Sequence, residues 1–346
     1  MPAGGDKRYA AAIARVLDPT LASRSGFGAF RHYEDLFRAT AQLVWESGLL
    51  RSPLPWVGSP HSRFFEEWWY MLRRGASTRF LFRDILADPG AYEPRALWAL
   101  FWALAQAEHD FLRLFAPFWS HEERLTGHLL SQVVMQLDNF GTSWRDLAGA
   151  DDSEPLCRIT YIDTATAGQE KYSGGDLGLV IHGRYSRHDE FFKAAVLQAK
   201  KADWSCTCRV DVSQAERLLM QAGLGFYLLY HPYNKTRWCP APTVHSVQAI
   251  ESEVKEAVKK QQSTIHQSMS GHGWDFAAFV TFGLADPASE LGVLSTTPAE
   301  AASAAMNGGG ARPSRALVIT VGRGASAVDW TGPDGFGEWI RRAGQG

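Results

Sequence analysis

The chain has 346 residues, 45% of them hydrophobic and 21% charged, an ordinary globular composition longer than one typical domain. A net charge of -2 excludes binding to nucleic acid by bulk basicity, so any such contact needs a local patch drawn from Lys193, Lys200, Lys201 and Arg209. The longest apolar run, Ala96 to Ala105, is too short to span a bilayer, and MPAGGDKRYAAA lacks the apolar stretch of a secretory leader; the expectation is a cytoplasmic protein without membrane contact.

Residues 1–118 read as a helical N-terminal region. Arg31 to Leu49, Phe64 to Arg73 and Glu93 to Phe115 carry apolar positions near helical spacing, with a break at Ser52-Pro-Leu-Pro. Seven of the 13 tryptophans fall before residue 120, which suits either a Trp-rich core or an interaction module. His121 to Leu137 is a clean amphipathic helix whose stripe is Leu125, Leu129, Leu130, Val133, Val134 and Leu137. Projected at about 100° per residue, Glu122 falls near the middle of that stripe and Glu123 to one side. The plain alternative is that acids favour helix N-termini because of the dipole.

Strands follow a polar loop. Arg158 to Thr164 is β-branched and aromatic-rich and ends near Glu170; Leu177 to Ile181 and Ala194 to Ala199 are short apolar runs bounded by turn and charge signals. Ser213-Gln-Ala-Glu216 reads as a capping box opening a helix to Gln221, with Gly223 as its stop, before a buried strand Phe226 to Tyr230 and a weaker one, Thr243 to Ile250. The order helix, three strands, helix, strand defines an α/β core. In the C-terminal part, Glu251 to Gln267 is a polar helix or extended segment, and Phe276 to Phe282 and Ala316 to Val321 look like strands. Ala299 to Pro313 is expected to be a mobile Ala/Gly-rich loop, and Gly335 to Gly346 a short helix and tail. The expected organisation is a helical region 1–118, a core 119–250 and an α+β extension 251–346.

Cys206-Thr-Cys208 with Cys239 lacks the paired spacing and the fourth ligand of a structural zinc site, so free thiols are expected. The chemistry instead gathers at Ser173 to Lys201. Two short strands joined by a charged connection pair antiparallel, which can set Asp176 beside Gln198 and Lys200. The latter two share a strand face because side chains alternate, with Ala199 on the other. An acid, an amide oxygen and an ammonium at one sheet edge suit a divalent metal and a phosphate. Asp176 would give a carboxylate, Gln198 its amide oxygen and Ala199 its backbone carbonyl, while Lys200 would orient an attacking water or stabilise negative charge. Read plainly, Gln and Lys at strand ends are solvated polar residues, and Asp after Gly-Gly is a turn acid.

GGDLGLVI at 174–181, LQAKK at 197–201 and the helix EERLTGHLL at 122–130 together resemble the PD-(D/E)xK nuclease superfamily. The likeness is strongest to its Q-A-K branch, as in Mrr-type restriction enzymes and bacterial phage-defence nucleases, and spans roughly residues 119–250. It implies a restriction-endonuclease-like core, a mixed sheet flanked by helices, and Mg²⁺- or Mn²⁺-dependent cleavage of nucleic acid, DNA foremost. The catalytic set would be Asp176, Gln198 and Lys200, completed by Glu122 or Glu123, with Glu170 a further candidate. Gln198 stands where the commoner pattern has an acid, so the site is one charge less negative. This keeps open a catalytically silent fold that binds nucleic acid or a protein partner. No sequence-reading module is recognisable, so activity is expected to be non-specific or gated by a partner or by homo-oligomerisation.

Overall fold

The computed structural model describes residues 96–116, 120–148, 157–163, 176–185, 190–203, 205–220, 223–232, 241–269, 273–307, 313, 315–322, 328–333 and 335–343. The expected helices at Arg31 to Leu49 and Phe64 to Arg73, together with Glu170 and Cys239, lie outside these residues.

Helices α1 (Ala96–Leu114) and α2 (Glu122–Ala148) precede strands β1 (Cys157–Asp163), β2 (Leu177–Arg184), β3 (Glu190–Lys201) and β4 (Thr207–Asp211). Helix α3 (Val212–Leu219), β5 (Gly225–Tyr230), β6 (Thr243–Ser246), a 3-10 turn Val247–Ile250 and α4 (Glu251–Lys259) follow. The chain continues through β7 (Thr264–Ser268), β8 (Trp274–Asp275), a helical stretch of Phe276–Ala278 and Phe279–Leu284, β9 (Val293–Ser295), α5 (Pro298–Asn307), β10 (Arg315–Gly322) and α6 (Gly337–Ala343).

One mixed sheet runs β1-β10-β2-β3-β5-β6-β8, with β9 also paired to β3; β4 and β7 form a separate ribbon. The pairs β10·β2 and β3·β5 are parallel, while β1·β10, β2·β3, β5·β6 and β6·β8 are antiparallel. Both faces are covered. Leu177, Leu179, Ile181, Ala195, Leu197, Leu317 and Ile319 pack with α1, α2 and Phe276–Leu284. The alternate residues Val180, Ala194, Val196, Tyr227, Ala316 and Val318 pack with α3, α4, α5 and Trp330. Burial on both faces is why these strands read as unbroken apolar runs rather than as alternating ones. The molecule is therefore α/β, a mixed sheet flanked by helices, as expected. The segment set apart as an extension supplies β8, β9 and β10 to this same sheet, and β10 separates β1 from β2.

Several local expectations are corrected. Phe276 to Phe282 is helical, not a strand. Its residues are almost wholly apolar and buried, a pattern in which periodicity cannot separate the two states. The buried Glu108 of α1 accepts from Ala277 N (3.0 Å) and so caps that helix across the core. Ala299 to Pro313 does not begin as a loop: α5 runs to Asn307, with Ala301, Ala302 and Ala305 buried on the sheet. Thr297 caps α5, with proline at the first helical position: Glu300 N donates to Thr297 Oγ1 (3.2 Å), and the Glu300 carboxylate accepts from Thr296 N (2.9 Å). Gly178 permits the close packing, since a Cβ there would meet the Ala305 carbonyl oxygen at 2.8 Å.

Helix α3 is capped by Asp211, not Ser213: the Asp211 carboxylate accepts from Gln214 N, two residues ahead of the expected box. The strand expected over Thr243 to Ile250 ends at Ser246, where the chain turns into the 3-10 segment. Glu251 to Gln267 divides into α4 and β7. Strand β4, unanticipated in the sequence, is the partner of β7. Among the described residues no helix is long and apolar enough to cross a membrane.

Candidate active site

The register Leu177↔Leu197 continues to set Asp176 opposite Gln198. Asp176 N donates to Leu197 O (2.9 Å), and Asp176 Oδ2 accepts from both Gln198 Nε2 (2.6 Å) and Ala199 N (2.7 Å). The hairpin thus juxtaposes the three residues as the antiparallel pairing requires. Alternation sends Asp176, Gln198 and Lys200 to the α3 face and Ala199 and Lys201 to the α2 face. Lys200 Nζ donates to Gln214 Oε1 (3.1 Å) on the first turn of α3. Gln214 lies inside the segment read only as a capping box; its role as partner to Lys200 carried no separate signal.

Helix α2 approaches from the opposite face and is tethered to three strands. Glu122 Oε1 accepts from Lys201 N (3.2 Å) on β3. Tyr230 Oη on β5 donates to Thr126 Oγ1 (3.1 Å), which donates in turn to Glu122 O (2.9 Å). Arg315 Nη1, at the start of β10, donates to Glu123 O (3.2 Å). Both glutamates consequently act on Asp176. Burial pushes the Asp176 carboxyl up to about 6; the Ala199 N–H and the Lys200 ammonium oppose the rise, while Glu123 and then Glu122 add to it. Asp211 sits lower than an ordinary aspartate despite desolvation, because Gln214 N, Ser213 and the Lys200 charge favour its anion.

Gln198 carries the second electrostatic peculiarity. Its residue is 5% exposed, its Nε2 serves Asp176, and its Oε1 is buried with no hydrogen-bond partner. A buried acceptor left so costs about 1–3 kcal/mol. Among the described residues, no group of three or more His, Cys, Asp or Glu side chains stands ready to hold a metal on its own. Amide and carbonyl oxygens would therefore have to complete any ligand set drawn from these residues.

Other candidates disperse. Lys193 does not join a basic patch: it is 1% exposed, and its Nζ donates to the carbonyls of Asp286 and Ser289, each at 2.7 Å. It lies seven residues from Lys200, about 23 Å along the strand. Arg209 is exposed on β4, and Lys201 is half-buried. His182 is six residues along β2 from Asp176, about 20 Å away, stacked on Phe192 with Nε2 against Glu190 (2.7 Å). Cys206 and Cys208 are buried free thiols pushed up to about 12 and about 11, chiefly by desolvation, which favours the protonated form. Glu170 lies outside the described residues. No family model, curated protein or solved structure matches the chain.

Proposed function

We propose that this chain is a metal-dependent endonuclease that hydrolyses phosphodiester bonds, in DNA foremost, on a PD-(D/E)xK, restriction-endonuclease-like core. The observation that carries the reading is the buried Gln198 Oε1, left without a partner beside a carboxyl raised to about 6. A hard divalent cation would use both features, since it needs oxygen donors and favours an ionised carboxylate. Rotation of the Gln198 amide would offer Oε1 to the ion alongside Asp176 and the Ala199 carbonyl, with Glu123 or Glu122 adding charge. Such an ion, when bound, supplies Lewis-acid neutralisation of the scissile phosphate.

The protein's own groups do the rest. Lys200, hydrogen-bonded to Gln214, would orient an attacking water or stabilise the charge developing on the phosphate. Glu122 is engaged with the Lys201 N–H, which leaves Glu123, exposed and acting more strongly on Asp176, as the better-placed second acid. A gated role as a restriction or phage-defence effector rests on the family resemblance alone.

One observation favours the silent-fold alternative. The 2.6 Å bond from Gln198 Nε2 satisfies Asp176 Oδ2 internally, as a site that holds no metal would. Supercoiled plasmid incubated with purified protein and Mg²⁺ or Mn²⁺, beside Lys200→Ala and an EDTA control, separates the two. The nuclease reading expects nicking by the wild type alone, and only with metal. Equal cleavage by Lys200→Ala, or cleavage in EDTA, would contradict it.

A further inference from the structure

Strand β10 comes from the C-terminal quarter of the chain, yet it sits between β1 and β2. Its parallel register, Ala316↔Gly178, puts Arg315 beside Leu177, one strand spacing from the start of the Asp176 strand. On β1 its cross-strand partner is Asp163. Arg315 is half-buried, lies on the α2 face and donates through Nη1 to the Glu123 carbonyl. Its Nη1 also lies close to Gly127 of α2, where an added Cβ would meet it at 3.5 Å, and its charge bears on Tyr161 and Tyr230. The other two tethers of that turn come from β3 and β5, on the far side of Asp176. Among the described residues, Arg315 supplies the hydrogen-bond tether of that turn on the β10 side of Asp176.

We propose that Arg315 is a positioning residue for the candidate metal site, holding the first turn of α2 so that Glu123 and Glu122 stand over the Asp176 end of the sheet. This rests on the metal-site reading above. The sign of the effect separates positioning from charge. A guanidinium beside a cation site repels the cation, so by charge alone its removal would tighten metal binding. If Arg315 instead positions the acids, its removal weakens binding, as loss of an outer-shell partner does, by about tenfold or more.

The test is calorimetric titration of Mn²⁺ into the full chain, comparing wild type, Arg315→Met and Arg315→Lys. Methionine keeps an unbranched aliphatic side chain and removes the donor; lysine keeps one donor and the charge. The expected result is Mn²⁺ binding weakened about tenfold in Arg315→Met and restored to within about threefold of wild type in Arg315→Lys. Thermal unfolding of each variant checks the fold, and if Arg315→Met does not fold, Arg315→Gln, too short to span to Glu123, serves for the same reading. Unchanged or tighter binding without the donor would overturn the positioning role and leave the metal site standing. No Mn²⁺ binding by wild type would overturn the site, and this inference with it.

Discussion

Two of the three lysines of strand β3, Lys193 and Lys200, end in opposite circumstances. Lys193 is enclosed among apolar side chains, gives its hydrogens to two main-chain carbonyls that follow the Phe276–Leu284 helix, and is pushed by burial down to about 8. Lys200, at the strand's end and on the other face, meets side chains only: Gln214 holds it, and its charge acts on Asp176 and Asp211. One lysine closes a loop onto the sheet. The other stands among groups whose bonding capacity is incompletely used. A charged residue in an apolar run is thus no sign of a site by itself; its partners decide.

The largest effect expected from this contrast is on cleavage. Lys200→Met should lower metal-dependent plasmid cleavage by about 10²–10³-fold while shifting unfolding stability by less than about 1 kcal/mol. Lys193→Met should do the reverse. It leaves the Asp286 and Ser289 carbonyls without their donor, and urea denaturation should show a loss of about 1–3 kcal/mol at unchanged m-value. A Lys193 variant as stable as wild type would break the comparison.

Asp176 gives a test by pH. Its folded carboxyl titrates near 6, above the usual range for aspartate, so between about pH 4 and 6 the folded chain retains a proton that the unfolded chain has released. Stability contributed by this group is therefore present at low pH and declines as pH rises through that window. Asp176→Asn removes the titration. Its melting temperature should exceed that of wild type by about 2–4 °C at pH 7, and the gain should vanish at pH 4. The smallest effect is at Gln214. Replacement by Leu frees Lys200 from its partner and should cost about tenfold in cleavage rate, with metal affinity unchanged because Gln214 is not among the candidate ligands.

The hairpin was legible because its information is local. Apolar runs bounded by Gly-Gly-Asp and Gln-x-Lys set two strands, and antiparallel pairing then dictates that residue 176 meets residue 198. The position of α2 was legible from its leucine stripe. What could not be read is what depends on distant chain. Nothing in Ala316 to Val321 says that it pairs with both β1 and β2, so Arg315 gave no sign of its place. Its signal in retrospect is that it opens an apolar strand, as Asp176 does. The helix at Phe276–Leu284 has no local start signal, because its cap, Glu108, is supplied from a different part of the chain. Helix α5 is the opposite case, since Thr297 to Glu300 carried a local capping signal that the Ala/Gly composition obscured. Lys193 and Lys200 look alike in sequence, because depth in a core is not a property of local sequence.

The most direct measurement is anomalous scattering from crystals soaked in Mn²⁺. A manganese peak is expected within coordination distance of an Asp176 carboxylate oxygen, with the Gln198 amide turned so that Oε1, not Nε2, faces the ion, and that peak should be lost in Asp176→Ala. Crystals in which Gln198 Nε2 still donates to Asp176 at millimolar Mn²⁺, with no peak at that end of the sheet, would contradict the metal-site reading.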